Sequence, residues 1–241
     1  MESVVEHRVE AGVGIITLNS PPVNALSDAL VSQVGEAQDA LEGEGLAVVV
    51  IESLLDGVFM AGADLKPLGD ANVESFAAYL DRVRVIVERF AAAPYVTVAA
   101  IDGHALGGGL ELALGCTIRI AGPAARLGLP EVKLGVIPGA GGTQRLARLL
   151  PRGTALDLLL TGRSVEPDEA LALGIVDRVA ASGQTARDAA MELAGALADG
   201  PREAYQSLVG LVDAARDLDF EAGMTLERSE LHRLFESSDG R

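Results

Sequence analysis

Two short apolar runs constrain the fold of this chain most: LAVVVI at residues 46–51 and VTVAAI at residues 96–101. A strand with one solvent-exposed face alternates between apolar and polar residues, and neither run does so. A continuous run of this length is typical of a strand buried on both faces of a parallel sheet. Helices must then cover both faces, so the two runs predict an α/β domain.

The segments around these runs favour the same architecture. The stretches 4–9 and 13–18 predict a β-hairpin that turns at Ala11-Gly12. Apolar spacing, capping residues and proline stops predict further helices and short strands. The helices are expected near 28–41, 72–92, 140–150, 153–161, 167–173, 186–198, 202–215 and 219–236, and the strands at 118–121, 127–129 and 176–179.

Charge and cysteine content exclude several classes of protein. The 241 residues carry a formal net charge of -16, which disfavours a nucleic-acid partner because phosphate binding needs a basic surface. The single cysteine rules out an internal disulfide and fits a reducing compartment. The first residues contain no apolar signal segment, and charges and glycines interrupt the apolar stretch at 95–118. We therefore expect a cytoplasmic protein without a membrane partner, and the scattered histidines predict no metal site.

A glycine-rich segment, GHALGGGLELALGC at 103–116, follows the second apolar run. A strand, a glycine turn and then a helix place bare N–H groups at a helix N-terminus, where they can bind a phosphate or an oxyanion. The spacing matches neither a P-loop nor a dinucleotide-binding fingerprint. Tight packing of the helix against the sheet explains the glycines equally well.

Two glutamates lie in apolar surroundings. Glu111 follows the glycines, where a carboxylate can also simply complement the helix dipole. Glu131 lies in LGLPEVKLGVIPGAGGTQRL, and the twenty-residue spacing does not by itself bring the two together. A pair of carboxyls, one charged and one neutral, is what general acid–base catalysis requires. The segment FMAGADL at 59–65 is either a surface loop or a second backbone donor to an oxyanion hole. Arg145 and Arg148 are expected to pair with acids on a helix surface.

The ordered motifs resemble one family over about residues 4–237. PPVNALS, FMAGADLK, AAIDGHALGGGLELALGC, LGLPEVKLGVIPGAGGTQRL and LTGRSVEPDEALALGIVDRV are similar to the crotonase, or enoyl-CoA hydratase/isomerase, superfamily, and most closely to its enoyl-CoA hydratases. The resemblance implies a crotonase (ClpP/crotonase-like) fold of repeated ββα units, with a core domain at 1–185. A helical C-terminal region at 186–241, shortened at its end, would form a homotrimer or a homohexamer.

The resemblance also implies a site. Glu111 and Glu131 match the two catalytic glutamates, and the N–H groups of Ala63 and Gly108 match the oxyanion hole. The implied activity is reversible syn addition of water to a trans-2-enoyl-CoA, giving a 3-hydroxyacyl-CoA, in fatty acid or related acyl-CoA metabolism. No cofactor is expected, since coenzyme A is part of the substrate. The residues that match substrate- or CoA-binding positions are Ala61, Asp64, Leu65, Lys66, Gly107, Pro130 and Gly139.

Two departures from the family pattern keep alternatives open. Val58 stands where many relatives have a lysine, and the C-terminal end is short. The alternatives are an enoyl-CoA isomerase or other thioester-enolate chemistry, and a non-catalytic acyl-CoA-binding subunit. A serine hydrolase is disfavoured because the chain has no nucleophile-elbow pattern.

Overall fold

The computed structural model describes residues 3–62 and 72–236. The strands in these ranges are β1 (Val5–Glu10), β2 (Val13–Leu18), β3 (Val48–Ser53), β4 (Val58–Met60), β5 (Val96–Ile101), β6 (His104–Leu106), β7 (Ile118–Ala121), β8 (Arg126–Gly128) and β9 (Arg178–Val179). The helices are α1 (Asp28–Glu42), α2 (Val73–Ala91), α3 (Gly108–Gly115), α4 (Gly142–Leu149), α5 (Arg152–Thr161), α6 (Pro167–Leu173), α7 (Ala186–Leu197), α8 (Arg202–Ala214) and α9 (Phe220–Glu236). A short 3-10 helix, Glu131–Leu134, lies between β8 and α4.

The strands form two sheets. A six-stranded sheet has the order β1-β2-β3-β5-β7-β9, and a three-stranded sheet has the order β4-β6-β8. Only the pairing of β1 with β2 is antiparallel among these strands; it is the expected hairpin, turning through Ala11 and Gly12 at positive φ. The parallel pairing of β2, β3, β5 and β7 confirms the prediction drawn from the apolar runs.

A repeated ββα unit builds both sheets at once. In each repeat the first strand joins the large sheet and the second joins the small one: β3 and β4 precede α2, β5 and β6 precede α3, and β7 and β8 precede the 3-10 helix and α4. The sequence analysis did not predict β4 or β6. Each has three residues, too few to show a strand period, and each forms by pairing with a strand from another repeat.

The inner strands of the large sheet, β2, β3 and β5, are buried on both faces. Their side chains divide between two apolar clusters: Ile16, Val49, Ile51, Ala99 and Ile101 belong to one, and Ile15, Val48, Val50, Val98 and Ala100 to the other. Helices α1, α2 and α3 contribute to the first cluster, whereas α7 covers the second with Ala186, Ala190 and Ala194. The small alanine side chains let α7 lie close to the strands.

Strand β3 lies two residues beyond its predicted position. Its pairing with β2 continues to the Leu18–Ser53 match, so it includes the buried carboxylate of Glu52. Thr17 donates a hydrogen bond to Glu52 at 2.9 Å, and Arg187 at the start of α7 forms an ion pair with it at 2.9 Å. The partners that allow a charged residue in this strand come from distant segments, which apolar patterning does not reveal.

The last two helices are little covered by the rest of the chain. Ser207 is the one buried residue of α8, and α9 has none. Phe220 and Phe235 of α9 are 79% and 74% exposed, so these aromatic side chains are not part of a core formed by residues 3–62 and 72–236. The division into 1–185 and 186–241 stays a prediction. None of the helices in the described residues is both long and apolar enough to cross a membrane.

Candidate active site

The glycine run lies where β6 meets the N-terminus of α3. Gly107 has φ +55 and caps the helix, which begins at Gly108. A Cβ added to Gly109 would lie 2.1 Å from the Met60 carbonyl oxygen, so the helix packs against β4 at a distance that only glycine permits. The glycines therefore do have a packing role. The first N–H groups of α3 lie at this contact, and the first turn of an α-helix has no internal partners for such groups.

A second glycine segment lies against this N-terminus. Gly62, at φ +89, follows β4, and a Cβ added to it would lie 3.5 Å from the Gly108 nitrogen. The two bare backbone segments predicted from the sequence are thus neighbours. The predicted residues Ala63, Asp64, Leu65 and Lys66 come directly after Gly62 and lie outside the described residues.

Glu111 is the fourth residue of α3 and is 3% exposed. Its Oε1 accepts two backbone hydrogen bonds, from Ala140 N at 2.8 Å and from Gly142 N at 2.7 Å. Both donors belong to the turn that leads into α4. Burial raises the pKa of Glu111 above its ordinary value, and the two hydrogen bonds and the positive charge of Arg145 offset this rise only in part. The backbone donors therefore favour the ionised carboxylate inside an apolar site.

Glu131 begins the 3-10 helix and is only half-buried as a residue. Its Oε1 would lie 3.0 Å from a Cβ added to Gly107, which places the carboxyl beside the start of α3. Its Oε2 is buried and has no hydrogen-bond partner among the described residues. Burial, with a smaller contribution from the charge of Glu111, raises the pKa of Glu131 to about 7.

The structure therefore brings the two glutamates into one site with different surroundings. Glu111 is held by two N–H donors, whereas Glu131 lacks such donors on Oε2 and carries its proton up to neutral pH. Two neighbouring carboxyls in such different surroundings are the usual arrangement for an acid and a base. Glu131 Oε1 lies beside Gly107, one helical turn before Glu111, so the fold brings together two segments whose proximity the sequence spacing left open.

Other predicted residues surround this pair. Gly107 and Pro130 directly precede the segments that carry the two glutamates, and Ala61 is tied to the chain before α1 because its N–H donates to Val23 O at 3.0 Å. Gly139 lies against Leu80 of α2, next to the turn that binds Glu111. The roles of these residues in binding are predictions.

The turn at 140–142 and Arg145 were not predicted as parts of the site. Arg145 does form the expected surface ion pair, with Glu88 at 3.0 Å, and Arg148 pairs with Asp217 at 3.7 Å. Arg145 also donates to the carbonyl oxygen of Ala140 at 3.2 Å. The glycines of GAGG at 139–142 were the only signal in the sequence, because backbone donors carry no side-chain signature.

Comparisons with known proteins identify relatives over nearly the whole chain. The profile of the family described as Enoyl-CoA hydratase/isomerase matches residues 8–241. A probable enoyl-CoA hydratase of Bacillus subtilis (strain 168) is 36% identical over 236 residues, which cover 97% of this chain and 91% of that protein. A peroxisomal fatty acid beta-oxidation multifunctional protein of Arabidopsis thaliana is 40% identical over 232 residues. The match covers 90% of this chain but only 31% of the plant protein.

A solved structure shows the same fold. The enoyl-CoA hydratase of Bacillus anthracis superposes with a TM-score of 0.93 at 32% identity, covering 98% of this chain and 93% of that one. The family profile extends over nearly the whole chain and includes both the ββα repeats and the C-terminal helices. The chain therefore has the crotonase fold and belongs to the enoyl-CoA hydratase/isomerase family.

Proposed function

We propose that this protein is an enoyl-CoA hydratase, which adds water reversibly across the 2,3 double bond of a trans-2-enoyl-CoA to give a 3-hydroxyacyl-CoA. The observation that carries the proposal is the pair of carboxyls at the start of α3, Glu111 bound by two N–H groups and Glu131 titrating at a pKa of about 7. Names of similar proteins support the hydratase over other members of the family.

Glu111 is the base in this mechanism. Its Oε1 is held by the Ala140 and Gly142 N–H groups, which leaves Oε2 to accept a hydrogen bond from the reacting water. That contact orients the water toward C3 of the enoyl group. A positioned general base of this kind contributes about 10²- to 10⁴-fold to a rate.

Glu131 is the acid. With a pKa of about 7 its carboxyl is protonated in a large fraction of molecules at neutral pH and can deliver a proton to C2. In the reverse direction it removes that proton from the hydroxyacyl thioester. Glu111 takes one proton from the water as its oxygen bonds to C3, and Glu131 gives its proton to C2. Exchange of the proton from Glu111 to Glu131 then restores both carboxyls, so the net change is addition of one water molecule to the double bond.

The backbone supplies the third element of the mechanism. Water adding at C3 moves negative charge onto the thioester oxygen, giving an enolate-like species. The N–H of Gly108 at the start of α3 donates to that oxygen, and the N–H of Ala63 is the second donor in our proposal. Loss of one such donor costs about 10²- to 10³-fold in rate.

Substrate binding and assembly complete the proposal. In our proposal the acyl-CoA brings its own coenzyme, and its binding residues are Ala61, Asp64, Leu65, Lys66, Gly107, Pro130 and Gly139. The exposed apolar side chains of α8 and α9 support assembly as a homotrimer or a homohexamer.

The test is the loss of enoyl-thioester absorbance when the purified protein meets crotonyl-CoA. We expect turnover by the wild type and a fall of at least about 10²-fold in kcat for both Glu111→Gln and Glu131→Gln. Glu6→Gln changes an exposed carboxylate on β1, outside the acid–base pair, so it should retain far more activity than either variant. An inactive wild type on short and long 2-enoyl-CoA substrates refutes hydration. Turnover of a 3-enoyl-CoA that survives Glu111→Gln would identify an isomerase instead.

A further inference from the structure

The position of the Glu111 carboxylate depends on a turn made almost entirely of glycine and alanine. Both of its hydrogen bonds come from the backbone of residues 140–142. A Cβ added to Gly142 would lie 3.0 Å from both Cγ and Oε1 of Glu111, so the turn is in direct contact with the carboxylate. A shift of this turn would lengthen both hydrogen bonds at once.

Arg145 holds this turn from the opposite side. Its Nη1 donates to Ala140 O at 3.2 Å, and a Cβ added to Gly141 would lie 2.1 Å from the same nitrogen. Its Nη2 forms a 3.0 Å ion pair with Glu88 of α2. The Arg145 side chain is 19% exposed, so its contacts with the protein, rather than with water, determine its position. One guanidinium therefore bridges α2 and the turn.

We propose that Arg145 is a positioning residue of the active site: by joining Ala140 to Glu88 it holds the turn whose N–H groups bind Glu111. The catalytic meaning of this bridge rests on the proposed function, in which Glu111 acts as a carboxylate. The positive charge of Arg145 acts in the same direction as the two N–H groups, since each lowers the pKa of Glu111 against the effect of burial.

Other charged groups around Glu111 do not replace Arg145. Glu131 is an acid on the 3-10 helix, and the buried thiol of Cys116 at the end of α3 stays neutral because burial raises its pKa to about 12. On β6, His104 is exposed, and β4 is apolar. The arginines of α2 have other partners. Arg82 forms an ion pair with Asp28, Arg84 with Asp81, and Arg89 with Asp39 and Glu42.

The direct test follows the Glu111 carboxyl carbon by ¹³C NMR during a pH titration, with its signal assigned by its absence in Glu111→Gln. We expect Arg145→Gln to move the Glu111 titration midpoint to higher pH. Arg148→Gln is the matched control, because it removes the same charge from the same helix while Arg148 pairs with Asp217, away from the turn. A midpoint that is the same in Arg145→Gln and the wild type overturns the proposal.

A conservative variant separates positioning from charge and covers a failure of Arg145→Gln to fold. The substitution Arg145→Lys keeps the positive charge but removes the planar fork that reaches Ala140 and Glu88 together. We expect the Glu111 midpoint in Arg145→Lys to lie above that of the wild type and below that of Arg145→Gln. A midpoint in Arg145→Lys equal to that of the wild type would count against the bridge.

Kinetics provide the readout that a purely structural role would not move. We expect Arg145→Gln to lower kcat about tenfold and to shift the acid limb of its pH profile upward, with KM changed much less. Arg148→Gln should match the wild type in kcat, in KM and in the position of the acid limb of the pH profile. The NMR titration needs no turnover, so an inactive wild type would refute the hydratase proposal while the Glu111 midpoint still decides the role of Arg145.

Discussion

Replacement of Gly109 by alanine tests whether the contact between α3 and β4 positions the active site. The new Cβ would lie 2.1 Å from Met60 O and 2.8 Å from Met60 C, and both are backbone atoms that no rotamer change can move. Close C···O contacts in proteins lie at about 3.3 Å, so helix and strand must separate by about 1.2 Å. We expect this overpacking to cost about 1–3 kcal/mol of unfolding free energy.

The same displacement acts on catalysis, since α3 carries both Gly108 and Glu111. A misplacement of about 1 Å can lower a rate about 10²-fold, and we expect kcat on crotonyl-CoA to fall by that order. The assay combines urea unfolding followed by circular dichroism with the hydration assay.

The matched control is Gly153→Ala in α5, where an added Cβ meets nothing within 4 Å. There alanine should raise the unfolding free energy by about 0.5–1 kcal/mol through helix propensity, with no change in kcat. The reasoning would be refuted by a Gly109→Ala protein as stable and as active as Gly153→Ala.

Four further predictions concern Glu131, Asp102 and Phe90. The pKa of Glu131 rises from 4.5 to about 7 on folding, so between these pH values the folded state binds more protons than the unfolded state. The free energy of unfolding should therefore fall as the pH rises through this range. Glu131→Gln should remove this part of the decline, measured by urea unfolding at pH 5 and pH 8. For the same reason wild-type kcat/KM should decline above about pH 7, and a profile flat to pH 9 would contradict the assignment of Glu131 as the acid. Asp102 accepts hydrogen bonds from Ala186 N and Arg187 N at the start of α7, so Asp102→Ala should cost about 1–2 kcal/mol in urea unfolding while kcat stays near the wild-type value. Phe90 is 1% exposed in the core, and Phe90→Ala should cost about 3–5 kcal/mol; a loss below about 1 kcal/mol would contradict its packing role.

Local sequence signals determined much of the architecture. The apolar run at 96–101 is β5, because a strand buried on both faces needs apolar residues throughout. Ala11 and Gly12 form the predicted hairpin turn at positive φ, and Ser27 and Asn72 cap α1 and α2. Each of these features depends on a few neighbouring residues, so the sequence carries its signal directly.

Tertiary structure alone decided how the site is assembled. The twenty-residue spacing of Glu111 and Glu131 does not determine the distance between them. The small sheet β4-β6-β8 brings their segments together, and its short strands have no sequence pattern of their own. The donors to Glu111 are peptide N–H groups from residues 140 and 142, which every residue except proline possesses. Which of these groups meets a buried carboxylate depends on how the ββα units pack, and the same packing places Arg145 behind the turn.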